Sequence, residues 1–242
     1  MSQFQEKLIS VANRNEATKN LIDEKTAPVL ERLCAHMLEV NKSLNLTAIK
    51  DEDGVILKHL VDSAACVPYI EDGARICDIG CGGGFPTLVI GILREGVSIL
   101  GVDSVTKKVN YVGSTATLLG LDNISVSNAR AEEMGQDKHL RESFDVATAR
   151  AVGRLNLICE LCLPLVKVGG KFLAMKSLST DEELNEAKRA IELLGGEVEA
   201  VNSYSLTDGH ETVERTIVVI KKVKHTPPQY PRNNSQIAKK PL

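Results

Sequence analysis

From Arg75 onward, short β-prone segments alternate with helical ones, and this alternation limits the chain to few folds. The stretches "ARICDIG", "VSILGVD" and "FDVATARA" have the composition of buried strands, whereas "TKKVNYVGSTATLLG" and "DEELNEAKRAIELLGG" have helical spacing. Strands separated by helices in this way predict a mostly parallel sheet with helices on both faces, in the α/β class. Only a loop separates "EVEAVNSYSL" from "ERTIVVIKKV", so the final strand is predicted to return antiparallel at the edge of the sheet.

Two segments flank this predicted α/β domain, which we assign to residues 71–224. Residues 1–70 have apolar side chains at spacings of three and four, which predicts a helical cap. From Lys221 to the C-terminus the chain has six Lys or Arg and no Asp or Glu. Residues 225–242 form a basic, proline-rich tail, which we expect to be extended or disordered unless it docks.

The composition argues against several classes of protein. The net charge of −3 is not that of a strongly basic nucleic-acid binder, and no apolar run approaches the roughly 20 residues that span a bilayer. The N-terminus has no apolar segment of the signal-peptide kind, so we expect a cytosolic protein with reduced, mostly buried cysteines. Cys159 and Cys162 lie in an apolar helical run without a nearby His, which favours a core position over a metal site.

A glycine-rich loop follows the first predicted strand, in the stretch "ICDIGCGGGFP". It does not fit the G-x-G-x-x-G dinucleotide fingerprint, because the third glycine position falls on Phe85 or Thr87. In doubly wound sheets ligands bind beside this loop, and the missing side chains at Gly80 and Gly82 would let a ligand lie against the backbone. An acid is expected at the end of the second strand, about 20 residues further on, and Asp103 stands there.

The pattern D-x-G-x-G-x-G from Asp78 to Gly84 resembles the first motif of class I S-adenosylmethionine-dependent methyltransferases. The resemblance implies that Asp78 faces the positive groups of the cofactor and that Asp103 accepts hydrogen bonds from its ribose hydroxyls. It also implies that Ala131 and Glu132, after the third strand, contact the adenine.

A closer resemblance extends from about residue 44 to the C-terminus. It rests on "NLTAIKDEDGVILKHLVDSAA", "DIGCGGGFP", "RAEEM", "FDVATARAV", "LPLVKVGGKFLAMK" and "YPRNNSQIAKKPL". These stretches resemble the bacterial 16S ribosomal RNA guanine-N7 methyltransferases, also called glucose-inhibited division protein B. The resemblance implies a Rossmann-like class I fold, S-adenosyl-L-methionine as cofactor, and methyl transfer to guanine N7 in the 530 loop. The implied partner is small-subunit ribosomal RNA, with or without bound ribosomal proteins.

The same resemblance implies which side chains contact the cofactor. By position these are Gly80, Phe85, Ala131, Glu132 and Arg150, to which the class adds Gly82 and Asp103. Guanine N7 carries no proton, so its attack needs no general base, and no catalytic acid–base residue is expected. His59 and Asp62 are therefore interpreted as orienting the helical cap against the catalytic face.

RNA contact is expected to be electrostatic and based on shape. The candidate RNA-binding residues are Lys58, Arg150, Lys176, Arg215 and Arg232, with Lys239 and Lys240 in the tail. An aromatic content of 3% without Trp argues against a stacking platform as the main reader of RNA.

The chain departs from the family pattern at Thr87, where glycine is usual, so looser packing is expected at the start of the next helix. In the tail, Asn233, Ser235 and Ile237 replace the usual Lys, Gly and Pro, which weakens the expected grip on RNA. Two alternatives remain open: a small-molecule methyltransferase, and a non-catalytic ribosome-assembly factor that retains the fold. Binding to ribosomal RNA would separate the first from an RNA methyltransferase, and cofactor titration the second.

Overall fold

The structure, a computed structural model, describes residues 1–177 and 180–242, and over these residues seven strands form one sheet. The strands are β1 (Arg75–Ile79), β2 (Ser98–Asp103), β3 (Ile124–Asn128), β4 (Phe144–Arg150), β5 (Val166–Ser177), β6 (Gly196–Thr207) and β7 (Thr212–Lys222). Their order is 3-2-1-4-5-7-6, and β1 to β5 pair in parallel. The predicted Rossmann-like sheet is confirmed.

Strand β7 runs antiparallel to both of its neighbours, β5 and β6. The sequence predicts this direction but puts the antiparallel strand at the edge, whereas β7 lies between β5 and β6, and β6 forms the edge. Burial explains the correction. Residues 216–220 of β7 are all buried, while most side chains of β6 are exposed or half-buried. A strand covered on both faces takes an interior position.

Helices connect the strands and precede the sheet. The α-helices are α1 (Gln3–Arg14), α2 (Ala27–Leu44), α3 (Glu52–Val55), α4 (Asp62–Ala64), α5 (Thr87–Leu93), α6 (Thr106–Leu119), α7 (Ala131–Met134), α8 (Leu155–Cys162), α9 (Thr180–Leu193) and α10 (Asn234–Lys239). Short 3-10 turns lie at Glu16–Thr18, Val67–Tyr69 and Leu163–Leu165. None of the helices in the described part of the chain is long and apolar enough to cross a membrane.

The helix that carries His59 is irregular. Between α3 and α4, residues Ile56–Val61 form a π-helical segment. The backbone N–H of Asp62 donates to the carbonyls of His59 and Leu57, and the α-helical partner, the carbonyl of Lys58, is skipped. The Lys58 oxygen can therefore accept a hydrogen bond from a side chain.

Apolar packing covers both faces of the sheet. On one face the N-terminal helices share a buried cluster with α5 and α6, in which Leu8 and Leu30 join Leu88 and Val112. On the other face α8 and α9 pack with Ile237 of the tail. All six cysteines are free and buried, as the sequence predicts.

The basic tail is docked on the body of the protein. Arg141 donates to the backbone oxygens of Thr226, Pro227 and Tyr230, and Gln136 donates to that of Pro231. The C-terminal segment is therefore fixed by backbone hydrogen bonds as well as by buried Ile237.

Candidate functional site

A cavity of about 480 Å³ opens at the carboxyl ends of the parallel strands. It lies where the strand order reverses between β1 and β4, the position at which doubly wound sheets bind ligands. The residues that line it come from two groups. We call Gly80, Gly82, Asp103, Ala131 and Glu132 the glycine-loop side, and Thr47, His59 and Arg150 the β4 side; Phe85 lies between them.

Two glycines of the loop have backbone conformations that L side chains rarely adopt. Gly80 has φ +74°, and a Cβ there would lie 2.6 Å from Cγ2 of Val152. Gly82 has φ +52°, and its Cβ would meet only the carbonyl of Gly80, at 3.7 Å. Gly80 is therefore required by its surroundings, whereas Gly82 leaves open space toward the cavity.

Asp78 lies beneath the glycine loop, not in the cavity. It is 1% exposed, and its carboxylate accepts hydrogen bonds from the hydroxyls of Thr87 at 2.5 Å and Thr148 at 2.8 Å. Burial raises the pKa of Asp78 to about 6, although the two hydroxyls act in the opposite direction. The expectation that Asp78 faces the positive groups of a ligand is thus wrong.

Thr87 also corrects the sequence analysis. Its side chain is fully buried, and it fills the space above Gly101, where a Cβ would lie 3.3 Å from Cγ2 of Thr87. The start of α5 is therefore closely packed. The hydroxyl of Thr87 also donates one of the two side-chain hydrogen bonds that the buried carboxylate of Asp78 accepts.

Asp103 stands at the end of β2, as predicted. One carboxylate oxygen accepts the N–H of Gly82 at 3.0 Å, and the other accepts the N–H of Val105 at 2.8 Å. A carboxylate oxygen can accept more than one hydrogen bond, so both retain capacity toward the cavity. Ala131 and Glu132, at the start of α7, line the same side.

Arg150 dominates the β4 side. It stands at the end of β4, and Nη1 donates to Oδ2 of Asp62 at 2.9 Å and to the carbonyl of Lys58 at 3.0 Å, the oxygen released by the π-helical segment. Nη2 lies 3.2 Å from Nδ1 of His59. Three of the five guanidinium hydrogens are engaged in this way, so two can meet a ligand.

Asp62 holds two arginines at once. Its side chain is 6% exposed, and its other oxygen accepts a hydrogen bond from Nε of Arg215 in β7 at 3.0 Å. Both His59 and Asp62 contact Arg150, so they join the N-terminal helices to the end of β4. That they orient these helices against the catalytic face stays a prediction.

His59 is held in the neutral form. Its ring stacks on Phe85 with centroids 4.6 Å apart and an interplanar angle of 9°. Burial lowers the pKa of His59 to about 3, and the positive charge of Arg150 acts in the same direction. A neutral histidine has one donor and one acceptor nitrogen, so one of the two neighbours of His59 must donate a hydrogen bond to the ring and the other must accept one.

The cations predicted to bind RNA are largely paired with carboxylates. Lys58 pairs with Glu211 at 2.7 Å, and Lys176 pairs with Glu183 at 2.8 Å. Arg232 departs most clearly from the predicted RNA-binding role. Its Nε and Nη2 donate hydrogen bonds to the fully buried carboxylate of Glu160 at 2.8 and 2.6 Å. Its visible role is to anchor the tail on α8.

Sequence reasoning missed several polar side chains that line the cavity, among them Thr47, Lys108, Arg130 and Asn234. Lys108 and Arg130 are cations at the mouth, on α6 and in the turn before α7. Asn234 belongs to the docked tail, so its place depends on contacts that no local pattern reveals. The sequence does contain one signal that the tail docks. Glu160 is the only charged residue in the apolar run "NLICELCLPLV", and a buried carboxylate needs a partner, which is Arg232 of the tail.

The fold and the site together define a class I S-adenosylmethionine-dependent methyltransferase. Among solved structures, NSun6 from Pyrococcus horikoshii superimposes with a TM-score of 0.55 at 14% identity, over 67% of this chain and 51% of that one. A precorrin-6Y C5,15-methyltransferase from Geobacter metallireducens superimposes with a TM-score of 0.52 at 19% identity, over 66% and 86%. At these identities the likeness shows the fold.

Sequence comparison gives the family. The chain matches rRNA small subunit methyltransferase G over residues 26–213. It is 45% identical to the ribosomal RNA small subunit methyltransferase G of Lactobacillus delbrueckii subsp. bulgaricus over 210 residues, 85% of this chain and 87% of that protein. The protein of that name from Geobacillus kaustophilus is 42% identical over 92% of this chain and 93% of its own length. The chain belongs to this family, so it is a ribosomal RNA methyltransferase that acts on small-subunit RNA.

The residues present fit the cofactor that this family uses. The cavity volume is within the range for small-molecule sites, and the open space beside Gly82 is what a ligand lying against the loop requires. Asp103 and Glu132 supply acceptors for ligand hydroxyl and amino groups. No group of three or more side chains that could hold a metal ion occurs within residues 1–177 and 180–242.

Proposed function

We propose that the methyl acceptor is N7 of a guanine in the 530 loop of 16S ribosomal RNA, presented on the small subunit with ribosomal proteins bound. The proposal rests first on the resemblance of the motifs described above. A ribosomal substrate also implies a cytoplasmic location.

One observation in the site carries the proposal. Among the described residues, the groups in contact with Arg150 that could accept a proton are His59 and Asp62, and both are engaged. Asp62 neutralises two arginines, and the two nitrogens of His59 each have a partner. An acceptor that had to lose a proton would need a free base here, whereas guanine N7 offers a lone pair and has no proton to lose.

The residues that line the cavity would bind and orient the cofactor. We propose that Gly80, Gly82, Phe85, Asp103, Ala131, Glu132 and Arg150 contact the cofactor, with Asp103 on the ribose hydroxyls. When bound, S-adenosylmethionine would supply a methyl group on positively charged sulfur, and a guanine that takes this group on its N7 lone pair would become a cation. The protein's contribution is then orientation and a suitable electrostatic field.

RNA contact would use cations around the mouth of the cavity. We propose Lys58, Lys176 and Arg215 for this role, and add Lys108 and Arg130 because they line the cavity. Each is a weak contact by itself. In a partly exposed ion pair such as Lys58–Glu211, the lysine could exchange the carboxylate for a phosphate at a small cost in free energy.

The test is to map the modified nucleotide. Small subunits from cells lacking this protein are incubated with it and with cofactor, and the RNA is then reduced with borohydride and cleaved with aniline, which breaks the chain at N7-methylguanosine. We expect a single new break in the 530 loop, absent with a Gly82→Val variant. Methyl incorporation without a break, or a break elsewhere, would contradict the proposal. Protein-free 16S RNA, tested in parallel, shows whether ribosomal proteins are needed.

A further inference from the structure

Thr47 lines the β4 side of the cavity, and the resemblance gives it no role. Its backbone is fixed by the buried amide of Asn41, which accepts the Thr47 N–H at 2.9 Å and donates to the Thr47 carbonyl at 3.0 Å. Its Oγ1 lies 2.9 Å from Nε2 of His59 and accepts the backbone N–H of Ile49 at 3.2 Å. The position of this hydroxyl is therefore well determined.

The chain of hydrogen bonds determines where each proton lies. Arg150 has donors only, so Nδ1 of His59 must accept its hydrogen bond. Since His59 is neutral, its proton lies on Nε2, and Nε2 donates to Thr47. The oxygen of Thr47 thus receives two N–H groups, which occupy both of its lone pairs. Its own proton is left to donate, and none of the described residues accepts it.

We propose that the Thr47 hydroxyl donates a hydrogen bond to O6 of the guanine that is methylated, with His59 and Arg150 as the residues that position it. The inference rests on the proposed function and extends it to the recognition of the base. Thr47 belongs to the half of the cavity next to β4, on the opposite side of β1 from Asp103 and Glu132. Of the residues proposed to contact the cofactor, only Arg150 lies in this half, so we place the acceptor base there, beside Thr47 and His59.

The chemistry of guanine fits a neutral single donor at this place. N7 and O6 are neighbouring acceptors on one edge of the base, and the N7 lone pair must stay free to react. A donor on O6 orients the ring without covering that lone pair. Because the base becomes positive during transfer, a neutral hydroxyl does not repel it as a lysine or a protonated histidine would.

The same arrangement separates guanine from adenine. Adenine carries an amino group in place of O6, and that group is a donor. Thr47 has no free lone pair to accept from it, so two donors would face each other. The preference for guanine over adenine therefore follows from the hydrogen-bond directions along Arg150, His59 and Thr47, which leave Thr47 able to donate but not to accept.

The experiment compares Thr47→Val, which removes the hydroxyl and keeps the shape, with Thr47→Ser, which restores it. The matched control is Thr117→Val on α6, where the hydroxyl donates only to its own helix, to the Gly113 carbonyl. Single-turnover methyl transfer to small subunits is measured together with cofactor affinity by calorimetry and with the unfolding midpoint.

We expect Thr47→Val to slow transfer about tenfold, the scale of one hydrogen bond, with cofactor affinity within the range of the control. The unfolding midpoint of Thr47→Val should fall below that of the control, because the N–H groups of His59 and Ile49 lose their acceptor, and Thr47→Ser should restore it. Thr47→Ser should recover most of the rate. Transfer by Thr47→Val at the rate of the control would overturn the inference, and so would an equal loss of cofactor affinity, which would assign the hydroxyl to the cofactor. The cleavage map of the unmodified protein tests the proposed function separately, so failure of one is distinguishable from failure of the other.

Discussion

The glycine-loop side of the cavity is held by groups that are close along the chain, whereas the β4 side is held by contacts between distant segments. Asp103 binds the N–H groups of Val105 and Gly82, 2 and 21 residues away. Asp62 binds Arg150 and Arg215, 88 and 153 residues away. The first side is a local product of strand and loop, while the second exists only when the N-terminal helices, β4 and β7 have come together.

The difference predicts that the two sides fail in different ways. A change on the glycine-loop side should abolish ligand binding while the fold remains, because the loop lies at the rim of the sheet. A change in the Asp62 network should reduce the stability of the whole protein, because that network ties three segments together.

The largest effect is expected for Asp62→Ala. Removing a buried carboxylate leaves Arg150 and Arg215 without their counter-ion, which should lower the free energy of unfolding by about 3 to 5 kcal/mol. Urea denaturation measures the loss. The matched control is Asp53→Ala, whose pair with Lys7 is exposed, and there a change within about 1 kcal/mol is expected. Similar losses for the two variants would show that the Asp62 network does not tie the segments together.

Next in size is Gly82→Val, which places a side chain in the cavity. Gly120→Val is the matched control, because Gly120 also has a positive φ, +73°, but a Cβ there meets nothing within 4 Å. Both variants should lose about 1 to 2 kcal/mol of stability from the backbone. Only Gly82→Val should weaken cofactor binding, by at least about 100-fold, as judged by calorimetry. Normal binding by Gly82→Val would mean that the ligand does not approach the loop.

A smaller effect on the same side is expected for Asp103→Ala. Loss of hydrogen bonds from a carboxylate should weaken cofactor binding by about 1.5 to 3 kcal/mol, again by calorimetry. The exposed Asp122, in the turn before β3, supplies the control variant Asp122→Ala, which should bind normally. An Asp103→Ala protein that folds and binds the cofactor as tightly as this control would remove Asp103 from the site.

The smallest net effect is expected for pH, because two buried groups have opposite pH dependences that partly cancel. The pKa of Asp78 is raised to about 6 from 3.8, so this group adds stability that is lost as pH rises through about 6. The pKa of His59 is lowered to about 3 from 6.5, so the folded state binds fewer protons and stability is lost as pH falls below about 6.5.

Variants should separate these two contributions. Relative to the unmodified protein, Asp78→Asn should gain stability as pH rises from 4 to 7, and His59→Phe should lose stability over the same range, both by urea denaturation. The sign of each slope is the test, because a shared sign would mean that one of the two groups is not buried as described.

The same contrast explains what the sequence can predict. Four of the predicted residues lie at or just after strand ends, at spacings that the sequence shows, and the structure places all four around one cavity: Gly80, Gly82, Asp103 and Glu132. Thr47 and Arg215 escape such reasoning, because their roles depend on the packing of distant segments. The edge position of β6 needed the burial of both faces of β7, which a local strand pattern does not specify.

Charge was the least predictable property. Arg232 was expected at RNA because the tail is basic, yet it is held by Glu160 inside the protein. Asp78 was expected at the ligand, yet it lies under the loop and is neutralised in part by burial. In both cases a charged residue was assigned to a partner outside the chain while the chain itself provided the partner.

The pH dependence of the chemical step tests the central claim, which is that the site positions the acceptor and does not deprotonate it. Single-turnover methyl transfer to small subunits is measured at saturating cofactor from pH 6.5 to 8.5, above the pKa values of Asp78 and His59. The rate constant should be the same across this range, since His59 stays neutral and guanine N7 has no proton to lose. A rate that rises about tenfold per pH unit over part of the range would reveal a general base and contradict the account.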